Sequence, residues 1–300
     1  MHATLTPLRG TIGIWTASFE FVAPSAVGAH ARRLEAAGFT ALWLPESWGR
    51  EALTGALLVL EETTELVVAT GIASIYARDA MATASASRTL DERSGGRFVL
   101  GLGVSHRPLV ERGRKGTYEP PLATMSSYLD QLDDAPLLSA EHEHRPPVVL
   151  AALGPRMLGL AATRTSGAHT YLVTTEHTER ARASLGEDRF LAVELSCVLD
   201  EDREEYLRRA HAHLNDYTGL ENYRASWRRL GFEDADFVRG GSESLCDRLV
   251  VHGDAAAIVA AARAHLDAGA DHVCLQLLGS SLVDMPFDAW ERVGAAIGGA

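Results

Sequence analysis

The chain has 300 residues, 46% of them hydrophobic and 23% charged, a balance that suits a globular protein of one large domain or two ordinary ones. Its net charge of −12 argues against a nucleic-acid partner, which would need Lys and Arg to neutralise phosphates. Three widely spaced cysteines make no disulfide framework. The longest apolar stretch, Leu66 to Ala77, is well short of the ~20 residues that cross a bilayer, and the opening MHATLTPLRG lacks the apolar core of a signal peptide. A soluble, cytoplasmic protein is the expectation.

Taken in chain order, Thr11–Trp15 reads as a strand and Pro24–Gly38 as a helix, with Val27, Ala31, Leu34 and Ala37 on one stripe and Gly38 as the stop. Strand-like runs follow at Ala41–Pro45, Leu66–Ser74 and Arg97–Ser105, with a helix over Ala80–Arg93 between the last two. His106–Arg145 breaks the rhythm, carrying Arg112, Arg114, Lys115, Pro120 and Pro121 ahead of a helix-like Met125–Leu132. Pro147–Leu153 is the next strand, and a helix runs from Pro155 to about Ser166, with Gly167 at its end. Strands are expected at Thr170–Thr175 and Phe190–Leu199. Glu201–Val251 is a second departure, its helical pieces broken at Gly219, Gly231 and Gly240–Gly241. Asp254–Ala268 has an N-cap Asp and stops at Gly269, and His272–Leu278 is the last strand.

All eight runs are apolar on both faces, as buried parallel strands are. Strand–helix alternation repeated eight times predicts one (β/α)8 barrel over residues 1–300, with insertions at about 106–145 and about 201–251; a doubly wound sheet is the alternative, and eight evenly spaced units favour closure. Long connections after barrel strands lie at the C-terminal face, where sites are built.

Several chemistries drop out. There is no P-loop, and the only lysine, Lys115, is followed by Gly116. Gly101-Leu-Gly103-Val-Ser-His106 lacks the third glycine of a dinucleotide fingerprint, and its Gly103–Arg107 portion lacks the last glycine of a nucleophile elbow. HExxH and CxxC are absent, and the pairs His142/His144 and His211/His213 sit in polar segments, so no metal is expected.

The informative residues stand at strand C-terminal ends. Glu46-Ser47-Trp48 after the second strand sets a carboxylate and an indole at the rim, either beside a ligand ring or, alternatively, as an ion-pair partner and a cap on the core. Gly71 inside the third run marks a bulge or a close backbone approach. Gly101 and Gly103 after the fourth let a planar ring near the backbone. Gly154-Pro155-Arg156-Met157 opens a helix, where free N–H groups, the dipole and an arginine suit an anion.

Together these segments resemble the luciferase-like monooxygenase superfamily, in its coenzyme F420-dependent oxidoreductase branch. The resemblance covers nearly the whole chain: Ala36 to Glu46, Ala69-Thr-Gly-Ile72, Ser85 to Gly103, Leu153 to Met157, Gly167 to Tyr171 and Ala268 to Val273. It implies a non-proline cis peptide at Gly71–Ile72 behind a deazaflavin ring, a cofactor phosphate on Gly154, Pro155, Arg156 and Met157, and Thr174 facing the ring edge. Where the sugar-phosphate dehydrogenases of the branch carry Asp-His, this chain has Glu46-Ser47, and His106 stands where they have a glutamate. Their substrate is therefore not implied.

On that reading a hydride passes between the deazaflavin C5 and a small organic substrate. His106 is the first candidate for the accompanying proton, or else a hydrogen-bond partner of the cofactor. Glu46 is the second. Trp15, Trp48, Ile75 and Tyr76 are expected to wall an apolar substrate pocket, and Arg78 to meet an anionic group or brace its loop. The competing readings are an FMN-dependent monooxygenase of the same fold, using reduced flavin and O2, and a non-catalytic flavin-binding barrel. A homodimer is common in such a family.

Overall fold

The computed structural model describes residues 2–136, 145–200, 202–281 and 283–299. Its strands are β1 (Thr11–Trp15), β2 (Ala41–Leu44), β3 (Val67–Thr70), β4 (Ala73–Ser74), β5 (Phe98–Gly103), β6 (Val148–Ala151), β7 (Gly167–Thr170), β8 (Phe190–Val198), β9 (Val250–His252) and β10 (His272–Leu277). Every ladder is parallel, and β10 pairs with both β8 and β1, so the sheet closes. The result is a (β/α)8 barrel. β4 resumes the third stave after a break at Gly71–Ile72. β9 pairs with the upper part of β8 (Ser196↔Val250), beyond the point where β7 stops (Thr170↔Val193).

The helices are α1 (Pro24–Ala36), α2 (Ala52–Leu60), α3 (Ala80–Ser94), α4 (Pro121–Asp134), α5 (Pro155–Arg164), α6 (Thr175–Leu185), α7 (Arg203–Leu214), α8 (Glu221–Arg229), α9 (Glu243–Leu249), α10 (Ala255–Asp267) and α11 (Phe287–Gly298). Several starts are fixed by side chains that accept orphan N–H groups: Asp79 from Ala82, Asp254 from Ala257, and Glu51 from Leu53 and Thr54. Among the described residues, no helix is long and apolar enough to cross a membrane.

Alternate strand residues fill the barrel. Trp15, Trp43, Ala69, Val99, Val149, Phe190, Ala192 and Cys274 point inward, joined by Leu5 and Leu8 of the N-terminal turn. The opposite faces, with Leu42, Val68, Leu100, Leu150, Val193 and Leu275, pack on the helices. At mid-height Trp43 stacks on His169 (4.7 Å between centroids) and lies 6.0 Å from His272. Burial disfavours a charged imidazole, so His169 is pushed down to about 3 and His272 to about 4, and both stay neutral.

Three assignments differ from the sequence reading. The sixth stave is Gly167–Thr170, not Thr170–Thr175, because Leu172 adopts φ 52 and ends the extended run. Gly167 is a strand residue rather than a helix stop: a Cβ there would sit 1.9 Å from the Phe190 carbonyl oxygen of β8. Much of 106–145 is no insertion, since α4 is the barrel helix between β5 and β6, packed on α3 and α5. The true insertion is α7–α9, which builds its own cluster around Tyr206, Leu214, Trp227 and Phe237. The sequence reading also omitted α2, α6, α11 and β9.

Candidate active site

The third stave breaks at a cis peptide between Gly71 and Ile72. The Trp15 indole Nε1 donates to the Gly71 carbonyl (2.7 Å), and the Glu46 N–H donates to that of Ile72 (3.1 Å). The Ile72 side chain lies across Gly103, where a Cβ would come within 2.4 Å of Ile72 Cδ1 and 3.3 Å of Ala151 Cβ. Gly103 is thus required for Ile72 to cover this side of the mouth.

Glu46 is a brace. Its carboxylate is buried and accepts from the Ser74 N–H (2.8 Å), with Ala52 N at 3.5 Å, and it pairs with Arg78. Arg78 also reaches Glu51 (2.5 Å). The carboxylate of Glu46 therefore ties β2, the start of α2 and β4 together as an ion-pair partner, the alternative that the sequence left open for it. Arg78 likewise braces the loop.

The expected pocket wall is not one surface. Trp15 and Ile75 are buried in different packing groups, because the break at Gly71–Ile72 turns Ile75 toward the core. Tyr76 stacks on Tyr118 (5.7 Å), and its hydroxyl accepts from the Glu119 N–H. Trp48 is 71% exposed and does not cap the core. With Arg78, Leu109, Gly113 and Arg114 it lines an open cleft of roughly 290 Å³ outside the bulge.

His106 follows β5 at the mouth, its ring 5.8 Å from that of Tyr223 and free of hydrogen bonds among the described residues. Desolvation lowers its pKa, keeping the imidazole neutral near pH 7.

At the start of α5, Gly154 is an N-cap with no side-chain capping bond, and a Cβ on it would meet nothing nearer than Arg229 Nη2 at 3.7 Å. Arg229 donates to the Leu153 carbonyl and Arg180 to that of Arg229, so both guanidinium groups stand close by. Pro155 and Arg156 are exposed, and Arg156 has no ion-pair partner among the described residues. Met157 N–H closes the first turn onto the Gly154 carbonyl (3.1 Å). An uncapped helix start with open space and several arginines matches a phosphate in charge and hydrogen-bonding demand. Thr174 lies beyond the end of β7, as the buried N-cap of α6.

Sequence reasoning overlooked the β7–β8–β10 wall. Tyr171 packs on Trp15 (5.2 Å) and donates to Gln276 Oε1 (2.6 Å), and Tyr217 and Tyr223 close over it from the insertion. The available signal was Glu194, a lone carboxylate inside an otherwise apolar run. Among the described residues no three His, Cys, Asp or Glu side chains converge as metal ligands; His142 and His144 lie outside the described residues.

The family model described as luciferase-like monooxygenase matches residues 5–272. A Mycobacterium tuberculosis protein named as a coenzyme F420-dependent oxidoreductase is 34% identical over 119 residues, 38% of this chain and 34% of that one. A 5,10-methylenetetrahydromethanopterin reductase of Methanolobus tindarius is 27% identical over 155 residues, 46% of this chain and 47% of its own. The chain thus spans less than half the length of these curated relatives. Two solved structures share the fold. An F420-dependent secondary alcohol dehydrogenase has TM-score 0.74 at 15% identity, covering 96% of this chain and 99% of that one. The FMN-bound oxygenating constituent of 3,6-diketocamphane monooxygenase of Pseudomonas putida has TM-score 0.69 at 12% identity, covering 96% and 97%.

Proposed function

The chain belongs to the luciferase-like monooxygenase family, and from that premise we propose that it is an F420-dependent oxidoreductase acting on a small organic substrate. The observation that carries the reading is the start of α5, uncapped and flanked by Arg156, Arg180 and Arg229, together with the names of the partial relatives.

When bound, a deazaflavin supplies hydride exchange at its C5 carbon. The chain's own residues do the rest. Gly154, Arg156 and Met157 would hold the phosphate, with Pro155 setting the first turn. Gly71, Ile72 and Gly103 would present a flat apolar face to the ring, with the Trp15 indole holding the Gly71 carbonyl in place. Glu46 and Arg78 keep that face in position from behind. His106, its imidazole neutral and free of hydrogen bonds to the described residues, would exchange a proton with the substrate.

Arg156→Ala is expected to weaken F420 binding about tenfold, the loss of one charge-assisted phosphate contact at an exposed position. Fluorescence titration of the cofactor checks this. An unchanged Kd in both Arg156→Ala and Arg229→Ala would remove the phosphate from the start of α5.

A further inference from the structure

Glu194 lies in the middle of β8, points into the barrel and is fully buried, yet no basic side chain pairs with it among the described residues. Its Oε2 accepts from the Leu172 N–H (3.0 Å), and its Oε1 lies 2.7 Å from the Ser196 hydroxyl, two residues up the same strand face. The Ser196 oxygen is in turn 3.1 Å from His213 Nε2 on α7. Ser196 is also fully buried, whereas His213 is only half-buried, between Tyr171 (6.3 Å between ring centroids) and Tyr217 (5.3 Å). The line therefore runs from an enclosed carboxyl to the aromatic rim of the mouth. It approaches from the β8 wall, whereas His106 follows β5.

We infer that Glu194, Ser196 and His213 form a proton relay between the barrel interior and the β8 wall of the mouth. A serine hydroxyl has one proton, so the line has two ordered states. With Glu194 protonated, the carboxyl donates to Ser196, Ser196 donates to Nε2, and His213 carries its proton on Nδ1. With Glu194 ionised, Nε2–H donates to Ser196 and Ser196 donates to the carboxylate. Passing between the states moves one proton along two hydrogen bonds. The Nδ1 proton is released to a heteroatom of whichever molecule lies against Tyr171 and Tyr217, and the negative charge stays on Glu194. Hydride transfer changes the charge of both donor and acceptor, which leaves two proton positions to serve, and His106 accounts for one. The relay's use rests on the redox reading above; its existence does not.

The surroundings suit the task. Burial pushes Glu194 up to about 7 and holds His213 down to about 4, so the carboxyl titrates while the imidazole stays neutral and only its tautomer changes. The other titratable groups facing Glu194 are Cys197 on its own strand, Cys274 on β10, Tyr171 after β7, Tyr217 after α7 and Tyr223 on α8. All five are raised by burial and remain uncharged in this range.

The test is nitrogen NMR of the full-length protein labelled at histidine, with His213 assigned through His213→Gln, from about pH 5 to about pH 9. The expected result is a switch of His213 from the Nδ1–H to the Nε2–H tautomer around the Glu194 midpoint, abolished in Glu194→Gln. Ser196→Ala, which removes the middle link while leaving the Glu194 carboxyl and its Leu172 hydrogen bond in place, should abolish it too. A His213 tautomer that is constant across the range in the wild type overturns the relay, as does a switch that persists in Ser196→Ala. In turnover, Glu194→Gln should lose a pH limb near 7 with cofactor Kd unchanged, and a limb that survives contradicts the relay's use in catalysis. If the protein takes no redox cofactor while the tautomer still switches, the redox reading fails and the relay stands.

Discussion

His106→Ala is expected to lower kcat by about 10²–10⁴-fold, the usual contribution of a positioned acid–base group, while cofactor Kd changes by no more than about threefold. The split follows from the environment of His106. Its ring rests on Tyr223 and makes no hydrogen bond to the described residues that would hold the mouth together, so its removal is expected to cost proton transfer rather than architecture. Because desolvation lowers the pKa, kcat should fall as pH drops below the range in which the imidazole is neutral. That limb should vanish in the variant. Steady-state kinetics beside a cofactor titration decides the point, since equal losses in kcat and affinity would make His106 a cofactor contact instead.

Glu46→Ala is expected to cost about 3–5 kcal/mol of stability, because it leaves buried partners behind. The Ser74 N–H would lose its acceptor, Arg78 would keep only Glu51, and the break in the third stave would lose its support. Glu46→Gln preserves the shape and the Ser74 bond and should cost about 1–3 kcal/mol. Urea unfolding reads both, with the midpoint moving and the slope unchanged. Cofactor affinity should fall in step with stability. A Glu46→Ala protein as stable as the wild type but without turnover would instead make Glu46 catalytic.

The barrel was legible because its staves are buried on both faces and announce themselves as short apolar runs. β7 was displaced for a physical reason. Its own residues, Gly167-Ala-His-Thr170, have weak strand preference, whereas the following Tyr-Leu-Val-Thr segment has strong preference but is turned away by Leu172. α2 was missed because it is apolar almost throughout and shows no amphipathic period, and α6 because it is mostly polar. At the site, glycines and the start of α5 could be read locally. The fate of Glu46 could not, since its ion-pair partner lies thirty-two residues away, and neither could the exposure of Trp48. The Glu194 line depends on Ser196 meeting a histidine from the insertion, a contact that only the closed fold creates.

The most direct test of the central claim is a titration of the purified protein with F420 and, separately, with FMN, under the same conditions and followed by cofactor fluorescence. The account predicts saturable F420 binding at least about tenfold tighter than FMN. Preferential binding of FMN would contradict it and move the chemistry to reduced flavin and O2, and binding of neither would leave a barrel of this family without the proposed activity.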